Sequence, residues 1–379
     1  MSGLPPFPFF LWYKRCKNAF PVLFLLVFII PTYSPAQSCG ALLADGQNEK
    51  KTAAERLAAY NTFFEYKCTD DVVDAYVGRA FVRNEMQQFA QAIEDCNKAI
   101  ALDANDARAY QLRSAAYLQQ QQPQKALEDC NRAIALAPNY VEAHYNKGTA
   151  HKLLNDPKAA IKSYTRVVEI DNKYLNAFYF RGMLYEQIGD YRSAITDMNV
   201  FIKSSPNLPI AYFIRGYCKL RENWNEEAIA DFDKVLSFEP ENTQAYNNRG
   251  AAKFNLKRYE ASLQDFNNAI RLKSDYYIAH TNAGNAKCFL GKTDDALKDY
   301  DTAIRLKPRY ARAYLCKGRA LFSLQKYKDA IYCFEKGESF DRSIKFHETY
   351  KQEALDALKT EASTTTKTTT ITTTIPAKK

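Results

Sequence analysis

Eight segments of equal length follow one another without insertion, starting at Val73, Ala107, Val141, Leu175, Pro209, Thr243, Tyr277 and Ala311, each 34 residues after the last. A period of this size constrains the chain more than any other feature. Each unit is too small to bury an apolar face alone, so neighbours must stack and share one elongated core. The 379 residues would otherwise suggest two or three globular domains. The period replaces that expectation with a single quasi-linear array.

Fixed positions within the unit carry fixed chemistry. The fourth is ring-bearing (Tyr76, Tyr110, His144, Phe178, Tyr212, Tyr246, His280, Tyr314), and the pattern predicts that this ring fills the space between two helices. The eighth is small (Ala80, Ser114, then Gly148, Gly182, Gly216, Gly250, Gly284, Gly318), and the twentieth is Ala or Ser, so two backbones can approach closely. Pro123 and Pro157 mark the first turn of a second helix, where a missing amide donor costs nothing. Pro138, Pro206, Pro240 and Pro308 close four copies.

This set of landmarks resembles the tetratricopeptide repeat, a helix-turn-helix unit of the same length. The resemblance implies an all-α fold, a right-handed superhelical α-solenoid with units at 73–106, 107–140, 141–174, 175–208, 209–242, 243–276, 277–310 and 311–344. Residues 37–72, with an amphipathic stretch from Lys51 to Tyr66, are expected to cap the first repeat, and a helix over 345–360 the last. Residues 361–379, rich in Thr, cannot bury a core and read as a disordered tail.

Composition adds little once the register is applied. The 26 Tyr and 23 Phe suggest a nucleic-acid or carbohydrate platform until most of them fall on packing positions. The net charge of +9 is raised by the two ends, and the last three repeats carry only a modest basic surplus, so no nucleic-acid partner is expected.

The first residues read as an address. Lys14, Arg15 and Lys17 precede the apolar run Phe20 to Ile30, and Ser34-Pro35-Ala36 follows, in the order of a secretory signal over 1–36. Export to a periplasm, cell envelope or exterior follows, with the look of a bacterial repeat protein. An uncleaved anchor, or a lipid on Cys39, would place the chain on a membrane instead. Of nine cysteines, Cys96, Cys130 and Cys218 fall on packing positions, Cys288 and Cys316 read as reduced thiols, and Cys39 and Cys68 are the pair outside the array available for a disulfide.

Catalytic constellations are absent from this reading. His144, His151, His280 and His347 do not pair at ligand spacing, no Gly-rich loop follows a strand, and neither metal nor cofactor is expected. One charged pattern is structural. Arg79, Arg113, Arg181, Arg215 and Arg249 at position seven match Asp95, Asp129, Asp197, Asp231 and Asp265 at position twenty-three. A repeated helix-to-helix ion pair is predicted, with the seventh copy (Ala283, Asp299) as an exception.

The family resemblance further implies binding of proteins or peptides, without chemistry, on the concave face lined by first helices. Reading its positions gives an apolar floor (Tyr145, Tyr179, Phe180, Met183, Phe213, Ile214, Tyr217), an amide shelf (Asn247, Asn248, Thr281, Asn282, Asn285) and a basic lip (Arg312, Arg319). Such a groove suits an extended peptide. The same rings also fit a role as cover for helix rims. A second functional reading stays open: a non-catalytic subunit of an envelope assembly or enzyme that meets its partners through the convex face.

Overall fold

A computed structural model describes residues 39–372. The expected signal segment 1–36, the Gln37 start and the last seven residues lie outside the described residues. Helices dominate, and no strand occurs among the described residues. The eight repeats are the pairs α3 (Val72–Glu85) and α4 (Phe89–Leu102), α5 (Ala107–Gln119) and α6 (Pro123–Leu136), α7 (Val141–Leu153) and α8 (Pro157–Ile170), α9 (Leu175–Ile188) and α10 (Tyr191–Ser204). The array continues with α11 (Pro209–Arg221) and α12 (Asn225–Phe238), α13 (Thr243–Asn255) and α14 (Tyr259–Leu272), α15 (Tyr277–Phe289) and α16 (Thr293–Leu306), α17 (Ala311–Ser323) and α18 (Tyr327–Phe340).

Packing inside each pair rests on a small residue facing a large one. A Cβ at Gly250 would stand 2.7 Å from Cε1 of Phe266, and one at Gly284 would stand 2.7 Å from Cε1 of Tyr300. Tyr164, Met198, Phe232 and Phe334, all fully buried, fill the same place in their copies. In the first two copies the small residue grows to Ala80 or Ser114, and the large one shrinks to Cys96 or Cys130. The volume is traded within the pair, which is why two thiols occupy an aromatic position.

The ring expected to fill the interhelical space does something else. Residues of the fourth position stay half-buried, and in five copies the ring reaches a carbonyl six residues upstream: Tyr110 Oη to Ala104 O at 3.3 Å, Tyr212 Oη to Pro206 O at 3.1 Å, Tyr314 Oη to Pro308 O at 3.3 Å. His144 Nε2 meets Pro138 O at 2.9 Å and His280 Nε2 meets Ser274 O at 3.0 Å. A ring with a polar tip belongs at such an edge, tying down the incoming loop. This explains why imidazole replaces phenol there without loss of the contact.

Every first helix ends in the same way. The residue at position fifteen adopts a left-handed backbone in all eight copies, at Gln87, Gln121, Asn155, Gly189, Asn223, Lys257, Gly291 and Gln325. The next amide bonds back five residues, as from Lys292 N to Lys287 O at 2.9 Å. This is the helix-ending motif that favours Gly. Space around a Cβ at Gly291 is open, so only the backbone opposes a side chain. We expect Gly291→Ala to lower stability by about 1 kcal/mol and Gln325→Gly to raise it by less, measured by urea melts.

Both ends differ from the sequence reading. The N-terminal cap is two helices, α1 (Cys39–Gln47) and α2 (Ala53–Glu65), rather than one. Tyr60 lies against Gly46 and Gly78, so the pair acts as a shortened extra repeat. Cys39 and Cys68 are joined in a disulfide with Cα atoms 5.8 Å apart, tying the start of α1 to the loop after α2. At the other end α19 (Glu348–Thr372) runs past the expected limit near residue 360, and no Gly or Pro interrupts the chain before Pro376. Its docking centres on His347, which is 1% exposed. The imidazole stacks on Phe334 and its Nε2 lies 2.8 Å from Glu338 Oε1, while Lys351 Nζ takes the other oxygen at 2.8 Å. No helix among the described residues is long and apolar enough to cross a membrane.

Candidate functional site

Curvature decides which face can enclose a partner. Successive first helices touch one another along most of the array, whereas successive second helices make no comparable contact. The array therefore bends with its first helices inside. One step is wider: the backbones of α7 and α9 stand apart, with the rings of Tyr145 and Phe180 between them, 6.3 Å apart at their centroids.

The ladder of ion pairs fixes the pose of these helices. Arg79, Arg113, Arg181, Arg215 and Arg249 each grip the Asp sixteen residues on through Nε and Nη2, as in Arg181 to Asp197 at 2.8 and 2.7 Å. The third arm of the guanidinium reaches back to the preceding second helix, from Arg113 to Asn97 at 2.6 Å and from Arg215 to Asn199 at 2.8 Å. One side chain thus clamps three helices. Position eleven adds a second cation in several copies: Arg83 on Asp95, Lys219 on Asp231, Lys253 on Asp265. In the seventh copy Lys287 holds Asp299 at 2.7 Å and His280 Nδ1 lies 3.8 Å from its other oxygen, which explains why the carboxylate persists beside Ala283.

The apolar floor is continuous with the core. Tyr145 packs on Tyr174 and Tyr164, Tyr179 on Phe201 and Phe213 on Phe232, with centroids 5.0–5.9 Å apart. Met183 joins the cluster around Met198, and Ile214 is buried. Burial raises the phenol pKa values of Tyr145 and Tyr179. Tyr217 is freer: it meets Tyr191 edge-on and its oxygen accepts from Arg221 Nη1 at 3.0 Å. Lys152 sits with its ammonium 3.9 Å from the centre of the Phe180 ring, and burial lowers its pKa.

The amide shelf needs correction. Asn247, Thr281 and Asn285 are buried between first helices rather than displayed. Asn247 donates to Asn248 at 3.2 Å and accepts from Asn282 at 2.9 Å, while Asn285 accepts from the Tyr300 hydroxyl at 2.8 Å. Close approach of the helices turns these amides inward, where each needs a partner. Asn248 and Asn282 remain half-exposed. Of the basic lip, Arg312 is exposed and Arg319 lies between the rings of Phe289 and Phe346, 5.9 and 5.8 Å away.

Two features escaped the sequence reading. Phe289, 52% exposed, stacks on Tyr259 at 4.8 Å and meets Phe254 at 5.3 Å, forming an open aromatic patch. Arg221 likewise lies over Tyr191, at 4.8 Å. Both Phe289 and Arg221 occupy the thirteenth position, one beyond the stripe that was read. A surface scan of that position would have found them.

The cysteines within the array are unpaired, and burial pushes the thiols of Cys96, Cys130 and Cys218 up to about 12. Among the described residues, no group of three or more His, Cys, Asp and Glu side chains is placed to hold a metal ion.

Comparisons with known proteins agree with this architecture. Models of the tetratricopeptide repeat match residues 107–140, 73–106, 141–174, 175–208, 210–242 and 243–276, and a further TPR repeat model matches 284–322. A tetratricopeptide repeat protein from Parabacteroides merdae superposes with a TM-score of 0.52 at 19% identity, covering 66% of this chain and 98% of its own. The C-terminal part of a TPR repeat-containing protein from Cytophaga hutchinsonii gives 0.50 at 18% identity, covering 62% and 97%. No curated protein matches the sequence. Seven consecutive matched segments over the stacked helix pairs establish that the chain belongs to the tetratricopeptide repeat family.

Proposed function

We propose that the chain is a non-enzymatic scaffold that holds a segment of a partner protein against the concave wall of its first helices. Members of this family serve in general as protein-interaction scaffolds. The observation that carries the reading is the open patch of Phe254, Tyr259 and Phe289, since a half-exposed stacked cluster on an otherwise well-packed helical array is what an apolar anchor of a partner would cover. Export belongs to the same proposal. The Cys39–Cys68 bridge supports it, because such bonds persist in oxidising compartments, and a bridged Cys39 has no thiol left to carry a lipid.

The rings of the wall divide by burial, and so do their expected effects. Phe289→Ala should weaken capture of the partner by about 1 kcal/mol or more while leaving the melting curve unchanged. Tyr179→Ala should lower stability instead, by about 2 kcal/mol, because that ring packs on Phe201. A photocrosslinker placed at position 289 or 217 in the native source should trap the partner, and one at Tyr332, exposed on α18, should not. Trapping at 332 alone would move the contact to the second helices and favour an assembly subunit bound through its convex face.

A further inference from the structure

The first helices of the last four repeats contain no acidic residue. Helices α11, α13, α15 and α17 carry nine Lys and Arg side chains and neither Asp nor Glu. Six of the nine are neutralised from the second helices: Arg215 and Lys219 by Asp231, Arg249 and Lys253 by Asp265, Lys287 by Asp299, Lys317 by Asp301. The remaining three, Arg221, Arg312 and Arg319, have no carboxylate within ion-pair distance among the described residues. Two acidic side chains beside Arg221 are engaged or apart. Glu222 pairs with Arg192 at 2.7 Å, and the Glu186 carboxyl, raised by burial, feels Arg221 without contacting it.

Two of these three cations are held in place by rings rather than by counter-charge. Arg221 lies over Tyr191 and donates to Tyr217, and Arg319 is set between Phe289 and Phe346. An aromatic face orients a guanidinium and leaves most of its N–H donors and its whole charge available. At Arg79, Arg113, Arg181, Arg215 and Arg249 the same residue type is spent on a bidentate Asp. Here the fold supplies the orientation and omits the anion.

We propose that this half of the concave wall binds an extended acidic segment of a partner protein, with carboxylates on Arg221 at one end and on Arg312 and Arg319 at the other, and apolar side chains between them on the Phe254–Phe289 patch. The proposal rests on the concave-wall reading above and adds the chemistry of the partner. Bidentate carboxylate recognition by a pre-oriented guanidinium gives both affinity and register. An acid-free wall also rejects basic segments.

The test uses labelled synthetic peptides of alternating Glu and Leu, alternating Gln and Leu, and alternating Lys and Leu, titrated against the full mature chain by fluorescence anisotropy. The Glu peptide should bind about tenfold more tightly than the Gln peptide, and added salt should erase the difference. Arg221→Gln with Arg319→Gln should bring the Glu peptide down to the Gln peptide, with the circular dichroism melt unchanged. Equal binding of Glu and Gln peptides, still lost on Phe289→Ala, would overturn the acidic preference and leave the concave wall standing. Binding insensitive to both sets of substitutions would remove both readings. Preference for the Lys peptide would overturn the proposal outright. So would co-sedimentation with phosphatidylserine vesicles that depends on Arg221 and Arg319 when the Glu peptide does not bind, since the wall would then belong to a lipid surface.

Discussion

Asp231→Ala is expected to destabilise the array by about 3–5 kcal/mol, because it strands two cations at once. Arg215 places Nε and Nη2 at 2.9 and 2.6 Å from the carboxylate, and Lys219 adds its ammonium at 2.8 Å. All three side chains are largely buried, at 16%, 14% and 5% exposure for Arg215, Lys219 and Asp231, so water cannot take over the role of the anion. The cost is that of two uncompensated charges rather than the net worth of the pair. Replacing the set together, with Arg215→Met, Lys219→Met and Asp231→Leu, should therefore recover most of the loss. Denaturant melts read both variants. Asp295→Ala, which removes an exposed partner of Lys298, serves as the control and should leave the midpoint unmoved. An Asp231→Ala midpoint equal to wild type would mean that the ladder contributes nothing to holding the helices.

The contrast between these two aspartates shows what a sequence can and cannot convey. Matched recurrence of Arg and Asp sixteen residues apart is legible because the period repeats the experiment eight times, and the two copies with Lys147 or Lys317 in place of the Arg carry Ser163 or Cys333 in place of the Asp. The reach of the third guanidinium arm to Asn97 or Asn199 is not, since a polar residue on an outer helix face has many possible partners. The lysine partner of Asp299 is illegible for a related reason: Lys287 is one of several lysines, and only the crossing of α15 and α16 singles it out.

The site was legible in outline and wrong in detail. Helical spacing places Asn247 and Asn285 on the inner stripe, yet neighbouring first helices approach closely enough to bury both, and each amide is consumed by Asn282 or Tyr300. Spacing within one helix cannot register the distance to the next. The fourth-position ring failed similarly: its polar tip, common to Tyr and His, pointed to an edge with a carbonyl to satisfy, and its size alone had pointed to the interior. Helix α1 went unseen because its Gly46 and Tyr60 of α2 stand closer in sequence than the Gly and ring of a full repeat, so the period does not reach it.

Cys96→Phe is the second large effect, and its sign should depend on a residue on another helix. Six copies place an aromatic ring or Met at this point against a glycine, whereas Cys96 is fully buried opposite Ala80, itself fully buried. A phenyl ring there has no room beside the Ala80 methyl, and overpacking should cost about 2–3 kcal/mol. Ala80→Gly alone should cost about 1 kcal/mol, from helix propensity and a small void. If the two positions exchange volume, the double variant recreates the arrangement of Gly250 and Phe266 and should be more stable than Cys96→Phe alone, giving a favourable coupling of about 1–3 kcal/mol in a double-mutant cycle. Purely additive losses would mean that the inner copies tolerate their rings for another reason, such as the wider spacing of their neighbours. A recovered double variant would show instead that each repeat solves its crossing locally, one small residue against one large. The array can then vary its surface copy by copy, as the acid-free wall of its last four repeats requires, without disturbing the stack beneath.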